Sequence, residues 1–193
     1  MSRPREFDVD RALHQSMEVF WKKGFKSTSF EDLTRTTQVK KQSLYCVFED
    51  KRALFLKALA LYREQSIAML EQLVSQEASP LKKLEAIRDV TFCQDSEATR
   101  RGCLMVNSTL EFGTDDEEVT REIEMMFTSV EQILEKIIRS GQEQRLITTR
   151  HTSKELADYL NNALLGAKIM EKTGASRERI DAVLRTSFAL LAP

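Results

Sequence analysis

The residues with the most to offer chemically lie close together: Lys40, Lys41, Gln42 and Ser43 in a row, Tyr45 two positions on, and Lys51 after a short gap. These are hydrogen-bonding and cationic groups without an adjacent base, so they suit recognition of an anionic partner rather than bond cleavage. Ammonium groups grip phosphates, and a glutamine amide pairs with two atoms on the major-groove edge of adenine. Gln42 is therefore the residue best suited to reading base sequence, whereas Lys40 and Lys41 can either grip phosphates or read guanine. Upstream, Thr28 and Ser29 put hydroxyls at a helix start, where unpaired amides welcome a phosphate.

Other chemistry finds little footing. The chain has no phosphate-cradling glycine loop, no histidine pair at metal-binding spacing and no nucleophile with a histidine base, so neither a catalytic nor a metal site nor a cofactor is expected. Three cysteines, Cys46, Cys93 and Cys103, are an odd number without close pairing, which speaks against a disulfide framework. No apolar run approaches the roughly 18 residues of a membrane span, and residues 1–6 lack a signal-peptide pattern, so a cytoplasmic protein is expected. Net charge is −1 overall, but residues 1–51 carry 10 Lys or Arg against 8 Asp or Glu, a faint positive bias at the recognition end.

The elements that must position these groups are helices. With 6 Gly and 3 Pro in 193 residues there are too few turn formers for hairpins, and the fold class expected is all-α with about nine helices. Asp8 caps a first helix to about Lys23, with Leu13, Met17, Phe20 and Trp21 on one face; Gly24 ends it. Ser29 and Asp32 form an approximate capping box for a second helix, and Lys41 to Phe48 form a third. The few polar residues between them force a steep crossing, as in a helix-turn-helix. Asp50 caps a long helix to about Ser75, Pro80 opens another to about Cys93, and Gly102 to Phe112 is short and apolar. Val119 to Ile138 has the strongest helical periodicity, with a stop near Gly141. Two last helices, about Ser153 to Lys172 and Ser176 to Leu191, carry apolar residues on more than one side, which predicts a homodimer interface or a wholly intrachain core.

The run Thr28-Ser29-Phe30-Glu31-Asp32-Leu33, then Val39, then Ser43-Leu44-Tyr45-Cys46-Val47-Phe48-Glu49-Asp50-Lys51 resembles the DNA-binding signature of the TetR family of bacterial transcriptional regulators. Phe20-Trp21-Lys22-Lys23-Gly24-Phe25 resembles the end of that family's first helix, and Gly102-Cys103-Leu104-Met105-Val106-Asn107 resembles one subset of it. The resemblance implies residues 1–50 as a helix-turn-helix domain and 51–193 as an effector-binding and dimerisation domain. It implies double-stranded operator DNA as partner, a homodimer with reading heads about 34–36 Å apart, and release by a small molecule. Tyr45 and Lys51 would contact the DNA backbone. Arg3 and Arg5 would either enter a neighbouring minor groove or remain a disordered arm. Two positions depart from the family pattern: Gln38 stands where a glycine is common, and Lys40 where Ser or Asn caps the third helix, each costing about 1 kcal/mol.

Among the middle helices, Phe92, Cys103, Asn107, Leu110 and Phe127 are candidate effector contacts or ordinary core. Asn107, a polar residue among apolar ones, needs a partner or a ligand. Cys103 beside Arg100 and Arg101 near a helix start has the surroundings of a reactive thiol, giving an alternative in which redox change or an electrophile is sensed. An activator without a small-molecule effector is a further alternative.

Overall fold

The computed structural model describes residues 7–91 and 101–193. Among them are nine helices and no strand: α1 (Val9–Lys23), α2 (Phe30–Thr37), α3 (Lys41–Phe48), α4 (Lys51–Ser75), α5 (Pro80–Thr91), α6 (Leu104–Phe112), α7 (Glu117–Glu143), α8 (Ser153–Lys172) and α9 (Arg177–Ala189). Phe92, Cys93, Arg3 and Arg5 lie outside the described residues.

Local signals explain most boundaries. Asp8 accepts from the Arg11 amide to start α1, Ser29 and Asp32 close a reciprocal capping box on α2, and Asp50 accepts from the Ala53 amide to start α4. Gln38 takes the left-handed conformation (φ 58°, ψ 22°) that a glycine would adopt without strain, and its Nε2 donates to the Arg35 carbonyl at 2.5 Å. The α2–α3 turn thus keeps its geometry with a side-chain bond in place of glycine.

Two boundaries differ from the sequence reading. The long helix α7 runs through Gly141 to Glu143 rather than stopping there. Gly141 is buried because the returning chain packs on it: a Cβ there would sit 2.4 Å from Ile147 Cδ1. The short apolar helix starts at Leu104, with Cys103 as its N-cap and Gly102 at φ +64° just before.

The core falls into two apolar clusters. The first joins α1, α2 and α3 to the first half of α4, to α6 and to the start of α7, through Phe20, Leu33, Leu44, Phe48, Phe55, Leu59, Met105 and Ile123. Within it Phe20, Phe25, Phe55 and Phe112 form a ring cluster with centroids 5.0–5.5 Å apart along the Phe20–Phe55, Phe25–Phe55, Phe25–Phe112 and Phe55–Phe112 contacts. The second unites α5, the far half of α7, α8 and α9 through Leu84, Leu134, Ile138, Leu160 and Leu184. Apolar packing is therefore continuous across residue 50, and α4, α6 and α7 tie the small N-terminal bundle to the remainder.

Candidate functional site

The N-terminal turn of α3 presents an open, polar surface. Lys40, Lys41 and Gln42 are exposed, Ser43 is half-buried, and no side chain of the N-cap Lys40 closes the helix end. Leu44 and Phe48 point the other way into the core, which fixes the face α3 presents. Tyr45 is 37% exposed and lies against Phe30 with ring centroids 4.6 Å apart. Lys41 Nζ hovers 5.0 Å from the Phe30 centroid and 5.5 Å from that of Tyr45. This stack orders a cation without neutralising it. Cys46 is exposed on the same shallow groove beside Lys41, Gln42 and Tyr45.

Three expected contacts are placed differently. Thr28 is 1% exposed, and its hydroxyl donates to the Gly24 carbonyl at 2.6 Å, so that hydroxyl is not offered to a phosphate. Ser29 is exposed, but its side chain is engaged in the α2 capping box. The Lys23 ammonium beside Asp32, helped by Ser29, holds that carboxyl well below the usual carboxylate range. Lys51 turns inward: its Nζ donates to the carbonyls of Phe25 at 3.0 Å and Thr28 at 2.9 Å and sits 4.2 Å from the Phe25 centroid. It thereby bolts α4 to the α1–α2 turn.

A second clasp holds the same turn from the opposite side. Glu111, near the end of α6, accepts from the backbone amides of Phe25 at 2.8 Å and Lys26 at 2.5 Å, while Lys26 Nζ donates to the Glu111 carbonyl at 2.8 Å. The other end of α6 also meets α1: Trp21 Nε1 donates to the Gly102 carbonyl at 2.9 Å, and the Arg101 guanidinium pairs with Glu18 and covers the Trp21 ring at 4.5 Å. Arg52 adds a bidentate bridge to Asp116 (2.7 Å each), the N-cap of α7, and lowers the Asp116 carboxyl pKa.

Between α4, α5, α7 and α8, at the start of α6, lies a cavity of about 360 Å³, within the size range of small-molecule sites. Its described wall is mainly apolar, including Leu70, Leu73, Ile87, Val130, Leu164 and Leu165, with polar groups from Trp21, Tyr62, Ser66, Thr91, Cys103, Asn161 and Lys168. Cys103 is buried and Tyr62 O–H donates to its Sγ at 3.6 Å. Burial pushes the Tyr62 phenol well above its ordinary range, and the neighbouring Cys103 adds to the effect.

Of the expected cavity residues, Cys103 and Phe127 line the space. Leu110 does not: it is 73% exposed on the outer face of α6. Asn107 finds protein partners instead, donating from Nδ2 to the Arg101 carbonyl at 2.8 Å and accepting from Lys172 Nζ. Phe92 lies outside the described residues. Sequence reading missed Trp21, Tyr62 and Lys168, which come from α1, α4 and α8. No group of three or more potential metal ligands occurs among the described residues.

A capped two-helix reading unit on a third helix, joined to a helical body that holds a cavity, defines a protein of the helix-turn-helix DNA-binding class. Residues 12–58 match the family described as bacterial regulatory proteins, tetR family, and residues 80–187 match the tetracyclin repressor-like C-terminal domain. The chain belongs to the TetR family of transcriptional regulators. It is 30% identical over 190 residues to the HTH-type transcriptional repressor ComR of Escherichia coli, covering 97% of this chain and 90% of that protein. It is 31% identical over 198 residues to the uncharacterized HTH-type regulator YezE of Bacillus subtilis, covering 99% and 100%. Among solved structures, a cysteine-substituted form of the TetR-family regulator CifR with 26-base-pair operator DNA superposes with a TM-score of 0.82 at 28% identity, covering 97% and 98%. The reduced form of E. coli NemR superposes with a TM-score of 0.85 at 23% identity, covering 95% and 96%.

Proposed function

We propose that this regulator is a repressor that binds palindromic operator DNA as a homodimer and lets go when a small molecule fills the cavity at the start of α6. Residues 1–50 read DNA and 51–193 sense and dimerise. The observation that carries the DNA reading is the start of α3, where Lys40, Lys41 and Gln42 project together from a helix whose opposite face is locked by Leu44 and Phe48. Such a helix end enters the major groove, with Gln42 on base edges and Lys40, Lys41, Ser43 and Tyr45 on bases or backbone. Ser29 lies exposed at the start of α2, but its amide and its hydroxyl both bond the Asp32 carboxylate, so the capping box and not a phosphate holds them. CifR, caught with operator DNA, supports the DNA reading, as does the repressor ComR.

Release follows from the connections of α6. One end borders the cavity at Gly102 and Cys103, and the other grips the α1–α2 turn through Glu111. A helix of nine residues is a rigid strut about 12–14 Å long. A ligand that displaces its cavity end therefore moves the reading head, through Glu111 and through the Phe25–Phe112 contact.

The test is Lys41→Gln, assayed by fluorescence anisotropy against duplexes selected from a randomised pool. Loss of one phosphate-facing cation should lower affinity and reduce the salt slope by about 1. An unchanged slope with unchanged affinity would take α3 out of the DNA interface.

A second reading keeps the same cavity but senses through sulfur. Cys103 Sγ forms part of the wall, and the structural relatives include NemR solved in its reduced form. In that reading an oxidant or electrophile, not a reversible ligand, shifts α6.

A further inference from the structure

The sensor reading says that a molecule enters the cavity, and the wall says what kind. The cationic group on the wall is already matched. Lys168 Nζ lies 3.0 Å from Glu171 Oε2 and also donates to the Thr91 carbonyl, and Glu171 is only 7% exposed. Asn161 Nδ2 donates to Glu131 Oε1 at 3.0 Å, and Trp21 Nε1 is spent on the Gly102 carbonyl. Tyr62 O–H is directed at Cys103 Sγ, the Ser66 hydroxyl bonds the Tyr62 oxygen, and the Thr91 hydroxyl donates to the Ile87 carbonyl at 2.9 Å. The described lining residues include no Asp or Glu.

We propose that the cavity takes a neutral, mainly apolar molecule carrying one oxygen acceptor and rejects carboxylates and amines of the same shape. The inference rests on the sensor reading above. A ligand carboxylate reaching Lys168 would share that ammonium with Glu171, which already lies 3.0 Å from it, and would set two negative charges side by side in a buried place. A ligand ammonium would meet no carboxylate among the described lining residues and would lose its hydration uncompensated there. A neutral oxygen, in contrast, matches the third N–H of Lys168, because an ammonium has three donors and two are engaged. At the packing density of protein interiors, about 360 Å³ holds about a dozen non-hydrogen atoms. An alkylphenol or an aromatic ketone has this size and balance.

Trp21, the chain's single tryptophan, lines the cavity and supplies an intrinsic optical probe. The full-length protein is titrated with 4-propylphenol, 4-propylbenzoate and 4-propylbenzylammonium, which share a body and differ in charge. Trp21 emission and release of a selected duplex are followed together. The phenol should shift emission saturably and release DNA, with each ion at least about tenfold weaker. Val130→Phe and Leu165→Phe, checked for unchanged thermal unfolding, should each abolish the phenol response by filling the space. An ion that binds as well as the phenol overturns the neutral-ligand inference while leaving a ligand-responsive sensor. A phenol response that persists in both filled variants places binding elsewhere and overturns it too. If none of the three compounds alters emission or DNA release, the sensor reading fails along with it.

Discussion

A threonine just ahead of a helix has two uses for its hydroxyl, and in this chain Thr28 spends it on the Gly24 carbonyl, inside the protein. Lys51 is similarly diverted from the surface to two backbone carbonyls. Residue type alone does not separate these fates, because a hydroxyl or ammonium serves a backbone oxygen as well as a phosphate. The same ambiguity surrounds Cys103, whose sulfur is at once buried packing, an acceptor for Tyr62 and a candidate sensor. Substitution resolves it. In a background with Cys46 and Cys93 changed to Ser, Cys103→Ser should keep ligand-driven release of DNA within about threefold of the parent, since a reversible ligand needs volume and not a thiol. Loss of all release by a thiol-alkylating reagent in Cys103→Ser, with release intact in the parent background, would instead establish the sulfur reading.

Elements matter through how firmly they are joined. The α1–α2 turn is held from α4 by Lys51 and from α6 by Glu111, and Gly24 (φ +81°) permits the approach, since a Cβ there would lie 3.0 Å from Glu111 Oε2. Glu111→Gln leaves one acceptor oxygen where two amides need partners, and Lys51→Met leaves two carbonyls without their donor. Hydrogen bonds to charged groups contribute about 1.5–3 kcal/mol, so each variant should lose roughly 2 kcal/mol in urea unfolding. Glu111→Gln carries a second expectation, because it weakens the strut between cavity and head. Ligand should then still shift Trp21 emission but release DNA less completely. Full release at the parent ligand concentration would show that α6 transmits by another contact.

For the whole molecule, the last two helices leave an apolar surface exposed among the described residues. Tyr159 and Ile169 on α8, Val183 on α9 and Leu190 just beyond it are large apolar residues left exposed, Ile169 at 44% and Val183 at 42%. The second cluster beneath them is already complete, with Leu160, Leu164, Ile180 and Leu184 buried. A second copy of the same two helices would cover this surface, as an isologous dimer requires. Ile169→Glu combined with Val183→Glu should yield a monomer by light scattering without loss of helix, and should lower operator affinity by at least about tenfold, since two linked heads bind one palindrome. A dimer that survives the double change would place the interface elsewhere.

No helix among the described residues is long and apolar enough to cross a membrane. What lay open to reading in the sequence was everything set by near neighbours. Caps at Asp8, Ser29 and Asp50, the spacing of Leu44 and Phe48, and the period of α7 depend on residues three or four places apart. Those signals determined the helices, the helix-turn-helix and the outward face of α3. The tertiary structure alone decided which groups meet across α1, α4, α5, α6 and α8: Trp21 with Gly102, Tyr62 with Cys103, Glu111 with the Phe25 and Lys26 amides, Lys168 with the Thr91 carbonyl. It also turned Leu110 outward and gave Asn107 protein partners. The reason is geometric: a short helix such as α6 has apolar residues nearly all round, so its own pattern does not say which side faces a cavity, and only the packing of its neighbours does.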